Sequence, residues 1–183
     1  MKHLPKFSPG LALIAPVAAV TAVQTAHAAS YIKLGDIKGE ATDQAHSEWT
    51  EIDSFEWAIE CDPPAGDRQH EPVTITKRID KSSPLLMLSC ATGNSDGAIP
   101  EVFLAVTDPE RNGGEDFLKI TFSDVIVTSF QSTGTDDAES SSTATREQIS
   151  FTYQKITWSY APRDGSDPVE VSHEFSDPAT SGP

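Results

Sequence analysis

Between Ile149 and Tyr160 the chain alternates apolar and polar residues, but the alternation changes phase part-way along. Ile149, Phe151 and Tyr153 share one side of a strand, whereas beyond Lys155 the apolar set is Ile156, Trp158 and Tyr160. Successive strand side chains point to opposite faces, so a one-residue slip moves the whole apolar set across the sheet. The pattern predicts a bulge, or a passage from one sheet to another, near Gln154–Lys155. Long strands that bend in this way let small barrels turn corners.

A second constraint is the stretch Ile79–Gly93, IDKSSPLLMLSCATG. Ser83 can cap a helix that opens on Pro84, where a missing N–H and a preset φ cost nothing, and Gly93 can supply a left-handed stop. About two turns fit between them. Leu85, Leu86, Met87, Leu88, Cys90 and Ala91 leave only Ser89 polar, which predicts a helix without a solvated face, buried between other elements.

The other signals are strands. Ile32 and Leu34 alternate with Tyr31 and Lys33 before Gly35-Asp36; Phe55, Trp57 and Ile59 alternate up to the breaker run Asp62-Pro63-Pro64-Ala65-Gly66. Val73, Ile75 and Ile79 mark a third strand, interrupted on the same face at Lys77. Val102, Leu104 and Val106 mark a fourth, and turn residues Asp108-Pro109 and Asn112-Gly113-Gly114 lead into a fifth with Leu118, Ile120 and Phe122. Val125 and Val127 continue it on the other parity, a second expected bend. The long strand Gln148–Tyr160 and a last one over Val169–Phe175 complete a mainly β fold, an antiparallel β-barrel or sandwich with one short buried α-helix.

Lys2 and Lys6, the apolar run Leu11–Val23 and Ala26-His27-Ala28 have the layout of a secretory signal peptide over residues 1–28, cleaved near Ala28. The run is too short for a mature membrane span. A single domain is expected over residues 29–183, secreted or periplasmic, with no stable membrane insertion and a loose tail at 176–183. Without Lys2 and Lys6, 11 basic residues stand against 28 acidic ones, a net charge of −17. That balance opposes nucleic-acid binding, which needs a basic footprint.

Residues 131–145, QSTGTDDAESSSTAT, contain no large apolar side chain and are expected to form a mobile loop. Export to an oxidising compartment makes a Cys61–Cys90 disulfide conceivable, with Cys90 as a small core residue the alternative.

Little in the chain suggests catalysis. His46, His70 and His173 fall in separate segments without the spacing of a helical zinc motif, and there is no G-x-S-x-G elbow. Glu115-Asp116 and Asp124 sit at expected strand ends, where acidic residues are ordinary. No catalytic residue, metal site or cofactor is expected. Trp57 and Trp158 fall within alternating apolar sets, leaving Trp49 as the one tryptophan placed to be exposed.

Five segments, taken in order, carry a family resemblance: YIKLGDIKGEA, the aromatic strand Ser54–Ile59, KRIDKSSPLLMLSCATG, FLKITFSDVIVTSF and ITWSYAPRDG. From about Tyr31 to Phe175 the chain resembles the haemolysin-coregulated protein (Hcp) family of type VI secretion. The resemblance implies a non-enzymatic subunit that forms homo-hexameric rings, which stack into a tube and carry small secreted effector proteins in their channel. It also implies an assembly role for the loop, with Gly134, Asp136, Asp137 and Glu139 the residues concerned. A different class of function is an exported β-sandwich that recognises a glycan or a surface protein through Trp49 and nearby loops.

Overall fold

A computed structural model describes residues 28–60, 69–111, 114–134 and 145–175. The expected signal peptide, apart from Ala28, and the 176–183 tail lie outside the described residues. Eleven strands and one helix are described: β1 (Ser30–Leu34), β2 (Thr50–Ile52), β3 (Ser54–Glu56), β4 (Ile59–Glu60), β5 (Gln69–His70), β6 (Val73–Arg78), α1 (Ser83–Ala91), β7 (Ile99–Asp108), β8 (Glu115–Thr133), β9 (Arg146–Thr152), β10 (Lys155–Tyr160) and β11 (Val169–Glu174). The strand expected over Ser54–Ile59 is divided, β3 ending at Glu56 and β4 pairing with β5 in a separate ribbon.

The main sheet runs β2-β1-β7-β8-β9-β6-β3, all antiparallel, with β10 and β11 branching from β8. Its hydrogen-bond ladder is open, yet its two end strands are consecutive in the chain, Asp53 being the one residue between them. The Asp53 amide donates to the Thr76 carbonyl at 2.8 Å, and its carboxylate meets Arg146 Nε at 2.8 Å. A covalent corner thus brings the sheet's ends together, giving a barrel-like form.

Both phase changes mark bends. After Thr152 the chain leaves its pairing with β6 and the far half of β8, and from Lys155 it pairs with the near half of β8 and with β11. In β8 the buried set passes from Ile120 and Phe122 to Val125 and Val127 across Asp124, whose φ of 55° is the left-handed kink that shifts the parity. A bulge follows between Val127 and Ser129. Inside the folded sheet, Phe122 packs edge-on to Phe151 and both are fully buried with Ile32, Leu104 and Ile156.

Two expectations about α1 need correcting. The helix is not buried on all sides: Ser83 and Leu86 are its buried residues, while Leu85, Met87 and Leu88 are about half exposed. The helix packs on β8 on one side, and no described strand or helix covers the other. Its apolar composition therefore does not reflect a position between layers. Ser82, not Ser83, is the N-cap residue, and the Ser83 side chain turns inward to polar groups beneath the helix. The left-handed stop is as expected, with Gly93 at φ 61°.

Candidate functional site

The Lys77 that interrupts an apolar strand face is fully buried, with its ammonium under the start of α1. It sits 2.5 Å from Glu147 Oε1 and 2.8 Å from Asp80 Oδ1, and donates to the Ser83 hydroxyl and the Arg78 carbonyl, each at 3.0 Å. Ser83 in turn donates to Glu147. Asp80 accepts from the Ser82 amide at 2.9 Å and from the Thr50 hydroxyl at 3.2 Å. Burial raises the Asp80 pKa, but the Lys77 and Ser82 donors outweigh it and hold the carboxyl below its ordinary range. Cation and carboxylates compensate one another away from water, and the cluster fixes where α1 begins.

Beyond α1, the Asn94 side-chain amide donates to the Val127 carbonyl at 3.0 Å and accepts from the Val127 amide at 3.1 Å. With both ends tied and Leu86 inserted in the core, the helix orientation is set. Leu85, Met87 and Leu88 are held outward, and Ile79, a few residues before the helix in the chain, is exposed as well.

A second apolar surface lies on the β10–β11 branch. Every residue of β11 is exposed, its described pairing is with β10, and Val169, Val171 and nearby Tyr160 are large apolar groups in water. Among the described residues the other edge of β11 is unpaired, which makes it a template for a further strand or an apolar face.

The third feature is a buried histidine in the long β1–β2 connection. His46 stacks on Tyr31 at 4.2 Å with an interplanar angle of 5°, and Trp49 meets it edge-on at 5.0 Å. Its Nδ1 lies 2.7 Å from Asp43 and its Nε2 3.0 Å from Asp116. The side-chain hydrogen bond with His46 holds the Asp43 carboxyl below its ordinary range. With a carboxylate at each ring nitrogen, the imidazole has no nitrogen left to activate a nucleophile, so the arrangement is a clasp joining the loop to β8. Gly39 tightens it, since a Cβ there would come within 2.3 Å of the Trp49 carbonyl oxygen. The sequence places His46 and Asp116 seventy residues apart, with no periodic signal linking them.

Trp49 is half buried against His46 and 6.4 Å from Phe103, so it is not the free exposed ring that a glycan platform requires. Trp57 and Trp158 lie 5.8 Å apart and pack against the core. Cys90 is half buried and touches the core, while Cys61 lies outside the described residues. Strand pairing extends through Gln131–Thr133, residues expected to be loop, because β9 supplies partners as far as Arg146. Gly134 is exposed just beyond, and Asp136, Asp137 and Glu139 lie outside the described residues. Among the described residues no group of three or more His, Cys, Asp or Glu could hold a metal, and no helix is long and apolar enough to cross a membrane.

The family described as type VI secretion system effector, Hcp, matches residues 31–160. Protein hcp1 of Pseudomonas aeruginosa is 30% identical over 146 residues, covering 73% of this chain and 83% of the relative. The Major exported protein of the same organism is 29% identical over 134 residues, covering 68% and 76%. Among solved structures, Hcp1 from Salmonella typhimurium superposes with a TM-score of 0.69 at 25% identity, covering 81% of this chain and 94% of that one.

Proposed function

The chain belongs to the Hcp family of type VI secretion, and from that premise we propose that it is a non-enzymatic, ring-forming subunit, exported from the cell, whose hexamers stack and carry small effector proteins. The observation that carries the reading is a barrel-like subunit in which, among the described residues, the β11 strand edge is unpaired and the apolar face of α1 is uncovered. Identical subunits meeting head to tail satisfy such surfaces, and a rotation that closes gives a ring. The buried charges fit the same role, because the Lys77 cluster, with its Ser83 hydroxyl shut away from solvent, and the His46 clasp hold surface elements in place. The loop around Gly134 follows β8 at its exposed end and is suited to bridge adjoining rings. Export is supported by the 1–28 segment, and an oxidising destination favours pairing of Cys61 with Cys90.

Charge gives the assembly a signature. Six copies lacking residues 1–28 carry about −100 charges, so ring formation strengthens as salt screens their repulsion. The test is light scattering on the full chain recovered from expressing cells, across protein and salt concentration, with intact mass reporting loss of residues 1–28. Six-fold mass that rises in population with salt is expected. Monomer under every condition overturns the reading.

A further inference from the structure

We propose that the outer face of α1, formed by Leu85, Met87 and Leu88, docks on β11 of a second copy of this chain. The inference rests on the ring reading and names the surfaces that close it.

All the exposed large hydrophobic residues among those described fall in two places. Ile79, Leu85, Met87 and Leu88 lie on and just before α1, and Tyr160, Val169 and Val171 lie on the β10–β11 branch, each 43 to 59% exposed. Scattered apolar residues need no explanation, but two concentrations on a strongly acidic chain do. The patches are separate, since α1 packs on β8 whereas β11 pairs with β10.

Their charged borders differ in balance, basic beside α1 and mainly acidic beside β11. Exposed Arg78 and Lys81 flank the start of α1, in a chain with only 13 basic residues. Exposed Glu170 and Glu174 alternate with the valines of β11 and so point to its other face, Glu174 opposite exposed Lys155 of β10, while exposed Asp164 and Asp167 lie in the connection that leads into β11. A contact between two β11 strands would bring their excess carboxylates together, whereas α1 against the β11 branch sets Arg78 and Lys81 near that excess. A helix-to-helix contact would end at two subunits and leave both β11 edges uncovered. The α1-to-β11 contact is heterologous, and when closed it covers both patches on every copy.

The experiment uses two full-length variants, Leu85→Asp and Val171→Glu, each on an exposed side chain and each checked for native unfolding temperature. Acid in the first turn of a helix is compatible with its dipole, so Leu85→Asp preserves α1. Each variant alone is expected to shift assembly at least tenfold towards monomer. Mixed in equal amounts they should form a 1:1 pair and nothing larger, because one intact α1 face and one intact β11 edge remain to meet. Should Val171→Glu fail to fold, Val171→Thr keeps the strand shape and should raise the concentration needed for rings.

Rings from either folded acidic variant, or a mixture that stays monomeric, overturn the inference. If the unsubstituted chain forms rings and the variants do too, this interface alone is wrong. If the unsubstituted chain never assembles, the ring reading falls with it.

Discussion

Lys77 and Glu147 are directly opposed on the antiparallel strands β6 and β9, and their charged ends meet at 2.5 Å with both side chains withdrawn from solvent. The pair joins the barrel wall to the helix above it, since Ser83 and Asp80 share the same ammonium. Removing the cation leaves two carboxylates with lost compensation. Lys77→Met should therefore destabilise the fold by about 3–5 kcal/mol, and adding Glu147→Leu should recover part of that loss. Urea unfolding of the single and double variants measures both effects.

The same cluster gives stability at low pH a definite sign. Burial works against the charged form of Asp80, but Lys77 and Ser82 prevail, so its folded pKa lies below the ordinary 3.8. Its contribution is complete above the unfolded pKa and is lost as pH falls through the lower folded value. Asp80→Asn should lower stability near neutrality and flatten the decline on the acid side of 3.8. Urea midpoints between about pH 5 and pH 2 would show the two curves converging.

Strand parity made much of the barrel legible. The change between Tyr153 and Ile156 corresponds to a strand that moves from one part of the sheet to another, and the change at Asp124 to a positive φ. These are local consequences of side-chain alternation. The helix was legible in position but not in burial: Leu85, Met87 and Leu88 are apolar in any setting, and composition does not say whether another layer covers them. The polar clusters were hidden for a different reason. Lys77 looks like a strand interruption until Glu147, seventy residues away, is brought opposite it, and His46 looks isolated until β8 delivers Asp116. Tertiary pairing creates those contacts.

The half-exposed helix leads to a contrast between neighbouring leucines. Leu86 is fully buried in the core, so Leu86→Ala removes packed methyl groups and should cost about 2–5 kcal/mol. Leu85→Ala, one residue earlier on the exposed side, should change monomer stability by no more than about 0.5 kcal/mol. Thermal unfolding at protein concentrations too low for assembly separates the two. Equal losses would mean that α1 is covered on both sides after all.

Asn94 provides the last test, because its side chain acts as a strand partner. The β7–β8 ladder reaches Val125 and its partner Ile99, which leaves Val127 two residues beyond that ladder on the side facing α1. There the Asn94 amide gives Val127 both a donor and an acceptor, beside the bulge that ends at Ser129. Asn94 reaches this position at φ 58°, directly after Gly93 at φ 61°, a conformation asparagine tolerates better than most residues. Asn94→Ala loses both bonds to a buried residue and strains the backbone, for an expected cost of about 2–4 kcal/mol. Asn94→Gly loses the bonds without the strain and should be less damaging than alanine by about 1 kcal/mol. In both variants the Val127 amide should exchange its hydrogen faster, by a larger factor than the change in global stability explains. Unchanged protection at Val127 would show that the amide pairing does not hold the helix to β8.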